Sequence, residues 1–353
     1  MKNHLFSQTS AGLNLVAIGG GNGLSMLLSG LKRFVAAREA SSVWLENLAA
    51  IVAVSDDGGS SGRLRDELQM LPPGDIRNCM VALSEDSHLL SKLFKYRFRG
   101  SGELGGHSFG NLFLAALTEI TGDFAEAVRL SSEILASKGH IYPATVADVR
   151  LTAELFDGSV VRGETNISKV GNSIKRLQLE PKNCQPLPET LAAISDADII
   201  TVGPGSLFTS LLPPLLVDDM SGAIADSPAV KIFICNLMTQ PGETEGFSAK
   251  KHLEIVREYA PEIDFDCVIV NNCPISEEQA ARYESEGAVQ IGISNSISPE
   301  TVEGAEIVYG NLLDEGEKVR HHPEKLAHVV LLCAAQERRG GAEIRRRGEV
   351  LTI

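Results

Sequence analysis

One pattern recurs along this chain and limits its fold more than any other: a short apolar run, β-branched in part, ends in a glycine-rich or polar loop. Leu13–Ile18 runs into Gly19-Gly20-Gly21-Asn22-Gly23, and Ala50–Val54 runs into Ser55-Asp56-Asp57-Gly58-Gly59-Ser60-Ser61-Gly62. Ile199–Val202 leads to Gly203-Pro204-Gly205-Ser206, Ile232–Cys235 leads to Asn236 and on to Thr244, and Cys267–Val270 leads to Asn271-Asn272. Runs this uniformly apolar fit strands buried on both faces, as in a parallel sheet. Between them Leu24, Leu27, Leu28, Leu31, Phe34 and Val35 keep helical spacing, as do Leu112, Ala115 and Ala116, then Phe124, Val128 and Leu135. This alternation predicts a doubly wound α/β fold. Ligands in such sheets bind outside the carboxyl ends of the strands, so loops far apart in sequence are expected to gather at one edge.

Composition narrows the functions. The 353 residues fit one large or two ordinary domains, and 43% hydrophobic content against 22% charged suits a globular core. With 32 Lys and Arg against 46 Asp and Glu, the net charge is −14. A nucleic acid would meet net repulsion, so none is expected as a partner. The six cysteines form no C-x-x-C pair, which points to a reducing cytoplasm. No apolar stretch approaches a membrane span, and the run around Leu207–Val217 is broken by Pro213 and Pro214. Alternation through Phe156–Pro188 (Val160, Val161, Ile174, Leu177, Leu179) suggests an antiparallel β insertion at 156–188, and Thr165–Lys169 is expected to close over the site.

The glycines Gly19 to Gly23 let backbone N–H groups approach a phosphate at a helix N-terminus, and Gly19, Gly20, Gly21, Asn22, Gly23 and Leu24 are the first candidate ligand contacts. Their spacing is neither the dinucleotide fingerprint nor the Lys-bearing phosphate loop. Asp56 and Asp57 suit ribose hydroxyls or a divalent cation such as Mg²⁺, or else a capped turn. Ser60 and Ser61 offer hydroxyls and amides to an anion, and Arg63 and Arg65 supply positive charge. Pro72-Pro73-Gly74-Asp75-Ile76-Arg77-Asn78 reads either as a helix start capped by Asp75 or as a loop that turns Arg77 or Asn78 to the ligand.

Gly106-His107-Ser108-Phe109-Gly110 matches the nucleophile elbow of serine hydrolases, but no apolar strand precedes it. His107, Ser108 and Asn111 read better as loop residues pointing at a ligand, with His107 able to act as acid or base. Gly203, Pro204, Gly205 and Ser206 offer a second phosphate cradle. Arg282 and Tyr283 offer a cation and a stacking ring, or merely a helix surface. Among these residues no nucleophile–base pair is legible, and His107 and Asp57 are the candidates for any catalysis.

Taken together, Gly19–Ser25, Ser55–Leu64, Pro72–Asn78, Gly106–Leu112, Val202–Leu207 and Met238–Thr244 resemble the CofD-like (2-phospho-L-lactate transferase-like) superfamily, specifically its gluconeogenesis-factor branch. Six ordered motifs carry the resemblance, from about Leu13 to about Cys333. It implies a three-layer α/β/α fold with a Rossmann-like, mostly parallel sheet, and hence one domain over 13–335 between an extension at 1–12 and an Arg-rich tail at 336–353.

The transferase branch implies transfer of a phospholactyl-type group from a guanosine-diphosphate donor with Mg²⁺. The other branch implies a UDP-sugar binder, UDP-GlcNAc-like, needed for cell shape under gluconeogenic growth. This sequence sides with the second, because Ser25 or Met26 stands where the transferase pattern has a Lys, and Ser55–Gly62 replaces an Asn-led run. Asn22 stands where the regulator branch usually has Thr, and it keeps a hydrogen-bonding side chain. A protein of envelope synthesis as partner, homo-oligomerisation and a cytoplasmic location complete the expectations. An NAD-dependent oxidoreductase is the third reading.

Overall fold

The computed structural model describes residues 12–37, 43–85, 88–170, 174–292, 301–314 and 316–340. The extension before Gly12 and the Arg-rich segment from 341 onward lie outside the described residues. Strands in chain order are β1 (Leu13–Gly19), β2 (Leu45–Val52), β3 (His140–Pro143), β4 (Arg150–Leu155), β5 (Val160–Arg162), β6 (Ile174–Glu180), β7 (Ile199–Val202), β8 (Val230–Ile234), β9 (Cys267–Asn271), β10 (Thr301–Val302) and β11 (Ala305–Gly310). Among the described residues eight of them form one sheet in the order β10-β11-β9-β8-β7-β1-β2-β3. Every pairing is parallel except β10 with β11.

The chain grows outward from β1 to β2 and β3, then returns to lay β7 on the opposite side of β1. Strand order therefore reverses between β1 and β7, and the two strands pair Leu15 with Ile199 through Ile18 with Val202. At such a reversal the loops leaving the two strands diverge and open a crevice.

Alternation along each strand feeds two cores. Leu13, Leu15 and Ala17 of β1 pack with the helices Gly21–Leu31, Gly74–Leu83, Phe109–Thr121, Phe124–Ile134 and Pro323–Gly340. Val16 and Ile18 pack on the other side with the helices Pro188–Ser195, Met220–Asp226 and Ala249–Tyr259. This is the three-layer α/β/α arrangement. Both faces of the sheet are covered, which is why its strands carry continuous apolar runs.

The antiparallel insertion begins earlier than Phe156. Strands β4, β5 and β6 form a separate sheet in the order β5-β4-β6, spanning Arg150–Glu180. Strand β4 alternates buried Leu151, Ala153 and Leu155 with Thr152 and Glu154, a half-buried strand pattern. The small sheet lies over the second core, where Leu151, Leu177 and Leu179 join Ile18 and Ile51. The helix Pro323–Gly340 also runs past position 336, so the first residues assigned to the tail are helical. No helix of the described residues is long and apolar enough to cross a membrane.

Candidate functional site

The loops after β1, β2 and β7 meet at the carboxyl edge of the sheet. Gly20 caps the helix Gly21–Leu31 in extended conformation. Asp75, in the first turn of the helix Gly74–Leu83, turns its carboxyl toward this loop and accepts the N–H of Gly21. The packing is close: a β-carbon on Gly20 would lie 2.7 Å from Asp75 Oδ2. On its other side the glycine turn meets the β7 loop, where a β-carbon on Gly23 would sit 2.2 Å from the carbonyl oxygen of Pro204. The amides of Asn22 and Gly23 fall in the first helical turn, where an α-helix leaves its N–H groups without intrahelical acceptors. Leu24, expected at the ligand, belongs instead to the core. Its side chain is fully buried and its N–H donates to Gly20 O, because helical spacing turns it inward.

The β2 loop joins through Asp56. Its Oδ1 accepts the Gly58 N–H at 2.8 Å, and its Oδ2 lies against Gly74, which also abuts the Ser61 hydroxyl. Asp57 is committed to the β insertion: its Oδ1 accepts both the N–H (2.9 Å) and the hydroxyl (2.6 Å) of Thr165. Thr165 thus docks the segment between β5 and β6 onto this loop. Next to it stands Glu164, held well above the usual carboxylate range by burial and by the negative charges of Asp56, Asp75, Asp57 and Glu243. Burial and the nearby Asp56 push Asp75 up to about 7, against the opposing pull of the Gly21 amide and Arg77. The edge is therefore rich in carboxyl groups that resist ionising together.

At Asp56 and Asp57 one oxygen of each already accepts hydrogen bonds, and among the described residues no three His, Cys, Asp or Glu side chains converge, so a Mg²⁺ held here would take its remaining ligands from substrate phosphates and water.

A second group of side chains faces the carboxyls. Ser60, in the first turn of the helix Gly59–Leu68, lies 2.9 Å from Nδ1 of His107 and accepts from Asn111 Nδ2 at 3.1 Å. Ser108 caps the helix Phe109–Thr121 by accepting the Asn111 N–H, and it accepts from Arg77 at 2.7 Å. Asn78 Oδ1 holds the other end of the Arg77 guanidinium at 2.5 Å. Arg63 and Arg97 rest on the carbonyls of Gly105 and Gly106. Burial, with these two cations, lowers the His107 pKa and keeps the ring neutral near pH 7. Ser108 is a cap rather than an elbow nucleophile, since the residues before it form a turn and an isolated bridge, Arg97 with Ser108, instead of a strand.

The β7 loop is less open. Gly205 exchanges two hydrogen bonds with the Asn236 side chain, at 3.1 and 2.8 Å. Ser206 accepts from Gln240 at 2.7 Å. Buried Glu243 accepts the N–H of Phe208 at 2.9 Å and also that of Thr209, where a phosphate at this helix start would bind. Burial pushes Glu243 up to about 7, partly offset by those two amides. A ligand phosphate at Gly203–Ser206 has to compete with this carboxylate.

Other expected residues lie elsewhere. Arg65 is 2% exposed and turns away to Asp148 and the Val149 carbonyl, so it supplies no charge to the site. Arg282 stacks over Tyr283 with 5.3 Å to the ring centroid and donates to the Glu317 carbonyl, while the Tyr283 hydroxyl accepts from Val319. These contacts tie the helix Glu277–Ser285 to residues 317–319 rather than to the glycine loops. Sequence reasoning missed Asp75 as a partner of Gly21, along with Glu164 and Glu243. For Glu243 the only signal was its place in the Met238–Thr244 motif.

Comparison with known proteins agrees with this architecture. The family model described as 2-phospho-L-lactate transferase CofD matches residues 15–313. A "Putative gluconeogenesis factor" from Nostoc is 47% identical over 91% of this chain and 68% of its own length. The "Gluconeogenesis factor" of Bacillus subtilis is 42% identical over 90% of this chain and 96% of its own. A crystal structure of a Bacillus halodurans protein superposes with a TM-score of 0.84 at 43% identity, covering 91% of this chain and all of that one. A family match that spans the sheet from β1 to past β11, with relatives aligned over about nine-tenths of this chain, leaves one assignment: the chain belongs to the CofD family, alongside the proteins named gluconeogenesis factors.

Proposed function

We propose that this chain is a cytoplasmic gluconeogenesis factor that binds a UDP-sugar of the UDP-GlcNAc type and, through a protein of envelope synthesis, sets cell shape during gluconeogenic growth. The observation that carries the reading is the meeting of the β1 glycine turn, Asp56, Asp75 and Arg77 at the strand-order reversal between β1 and β7. The diphosphate lies on the Asn22 and Gly23 amides, with Arg77 and Arg63 balancing its charge. Asp56 accepts hydrogen bonds from sugar or ribose hydroxyls. The names of the relatives support the regulatory role. Thermal unfolding with UDP-GlcNAc, UDP-glucose, GDP and NAD, each with and without Mg²⁺, tests it. A UDP-sugar at a hundredfold excess over its Kd should add about 2.7 kcal/mol of stability without turnover. No shift with any uridine nucleotide overturns the reading. Metal-dependent consumption of a guanosine-diphosphate donor would move the chain to the transferase branch.

A further inference from the structure

We infer that Ser60 is an activated nucleophile, with His107 as its base, able to accept a phosphoryl-type group. The two residues stand 47 positions apart, yet Ser60 Oγ and His107 Nδ1 are separated by 2.9 Å. The Asn111 amide donates to Ser60 Oγ at 3.1 Å, and in the Nε2-protonated tautomer of His107 the serine's own proton points at Nδ1. That same amide steadies the alkoxide once the proton leaves. Ser60 occupies the first turn of the helix Gly59–Leu68, where the amides of Gly59, Ser60 and Ser61 have no intrahelical acceptor and suit charge developing on an incoming group. Arg63 and Arg97 lie close enough to depress the imidazole and favour an anionic reactant, while Glu67 acts in the opposite sense. A capping cluster would need neither a neutral histidine nor an amide aimed at the serine oxygen. Ser60 is 5% exposed, which limits the electrophiles that reach it.

In the step, Ser60 Oγ forms a bond to the phosphorus of a phosphoric anhydride. The bond from phosphorus to the leaving oxygen breaks, its electron pair departs with the leaving phosphate or nucleotide, and the serine proton passes to His107 Nδ1. A phosphonyl fluoride reports the same chemistry, with fluoride as the leaving group.

The full chain is treated with a fluorophosphonate and the adduct is mapped by mass spectrometry. A single adduct on Ser60 is expected, absent in Ser60→Ala. His107→Gln keeps an acceptor for the serine but takes no proton, so its labelling should slow about 100-fold or more. The chain unfolded in urea gives a second reference that does not depend on the variant folding: labelling there should be slower by a similar factor. No adduct on Ser60, an undiminished rate in a folded His107→Gln, or equal rates folded and unfolded overturns the inference. The probe carries no nucleotide, so its failure is separate from a failure of the UDP-sugar reading.

Discussion

Gly20 and Asp75 face one another across the site so closely that a side chain on residue 20 would have to displace the carboxyl, 2.7 Å from a built β-carbon to Asp75 Oδ2. The contact joins the loop after β1 to the second helix after β2, Gly74–Leu83, and it places a carboxyl where a glycine turn would ordinarily greet an anion. The protein thus holds Asp75 as a proton-bearing group near neutrality, with the Gly21 amide as its donor.

Asp75 sets a pH dependence of stability. Its pKa is raised from the usual 3.8 to about 7, so the folded state holds the proton more tightly than the unfolded chain. That contribution is complete below pH 3.8 and is lost as pH rises through about 7. Asp75→Asn keeps an acceptor for Gly21 and removes the charge. The variant should match the parent near pH 4 and exceed it at pH 8 by about 1–2 kcal/mol, less than the ~4 kcal/mol ceiling of the linkage because the Asn amide must itself be desolvated in the carboxyl's place. Urea unfolding at the two pH values measures this.

Gly23→Ala tests the apposition of the β1 and β7 loops. The new methyl would meet the Pro204 carbonyl at 2.2 Å, and that partner is backbone, not a side chain that can swing aside. A loss of about 2–3 kcal/mol is expected, in the range of overpacked cores. The nucleotide-dependent shift in melting should fall with it. An unchanged melting temperature would show that the loops are free to part.

The fold was legible because its signal is local. Uniform apolar runs followed by a glycine-rich or polar loop marked β1, β2, β7, β8 and β9, and helical spacing marked the elements between them. Strand β4 escaped because Arg150 and Thr152 dilute a pattern that is half polar by design of a one-sided sheet. The site was legible as loops but not as partnerships. Ser60 with His107, Asp57 with Thr165 and Glu243 with Phe208 are each separated by dozens of residues, and no spacing rule reaches that far. Leu24 and Arg65 failed for the opposite reason. Both sit beside functional loops in sequence, but the helical turn carries them to the buried side.

His321 should make the protein acid-sensitive in its own window. The ring is buried, its Nε2 has no partner, and burial depresses its pKa to about 4 despite a hydrogen bond to the Cys235 backbone. The unfolded chain binds this proton first, so the contribution is intact above about 6.5 and is lost as pH falls toward about 4. The loss is on the order of 3 kcal/mol, opposite in sign to that of Asp75. His321→Gln cannot charge, and its stability should decline less steeply between those pH values in the same unfolding measurement.

Glu243 occupies the start of the helical segment after β7, and its removal should expose an anion site. Glu243→Ala strips the acceptor from the Phe208 and Thr209 amides, which lie buried at the end of the β7 loop. Two unsatisfied buried donors cost about 2–4 kcal/mol, and the vacated space remains lined by N–H groups. Sulfate or phosphate should therefore raise the melting temperature of the variant well beyond its effect on the parent, whose own carboxylate already fills the position. Glu243→Gln supplies a neutral acceptor of the same shape. It should fold near parental stability and gain nothing from the anion. Equal anion responses in all three proteins would show that this helix start does not bind anions, and that the carboxylate is held there by packing alone.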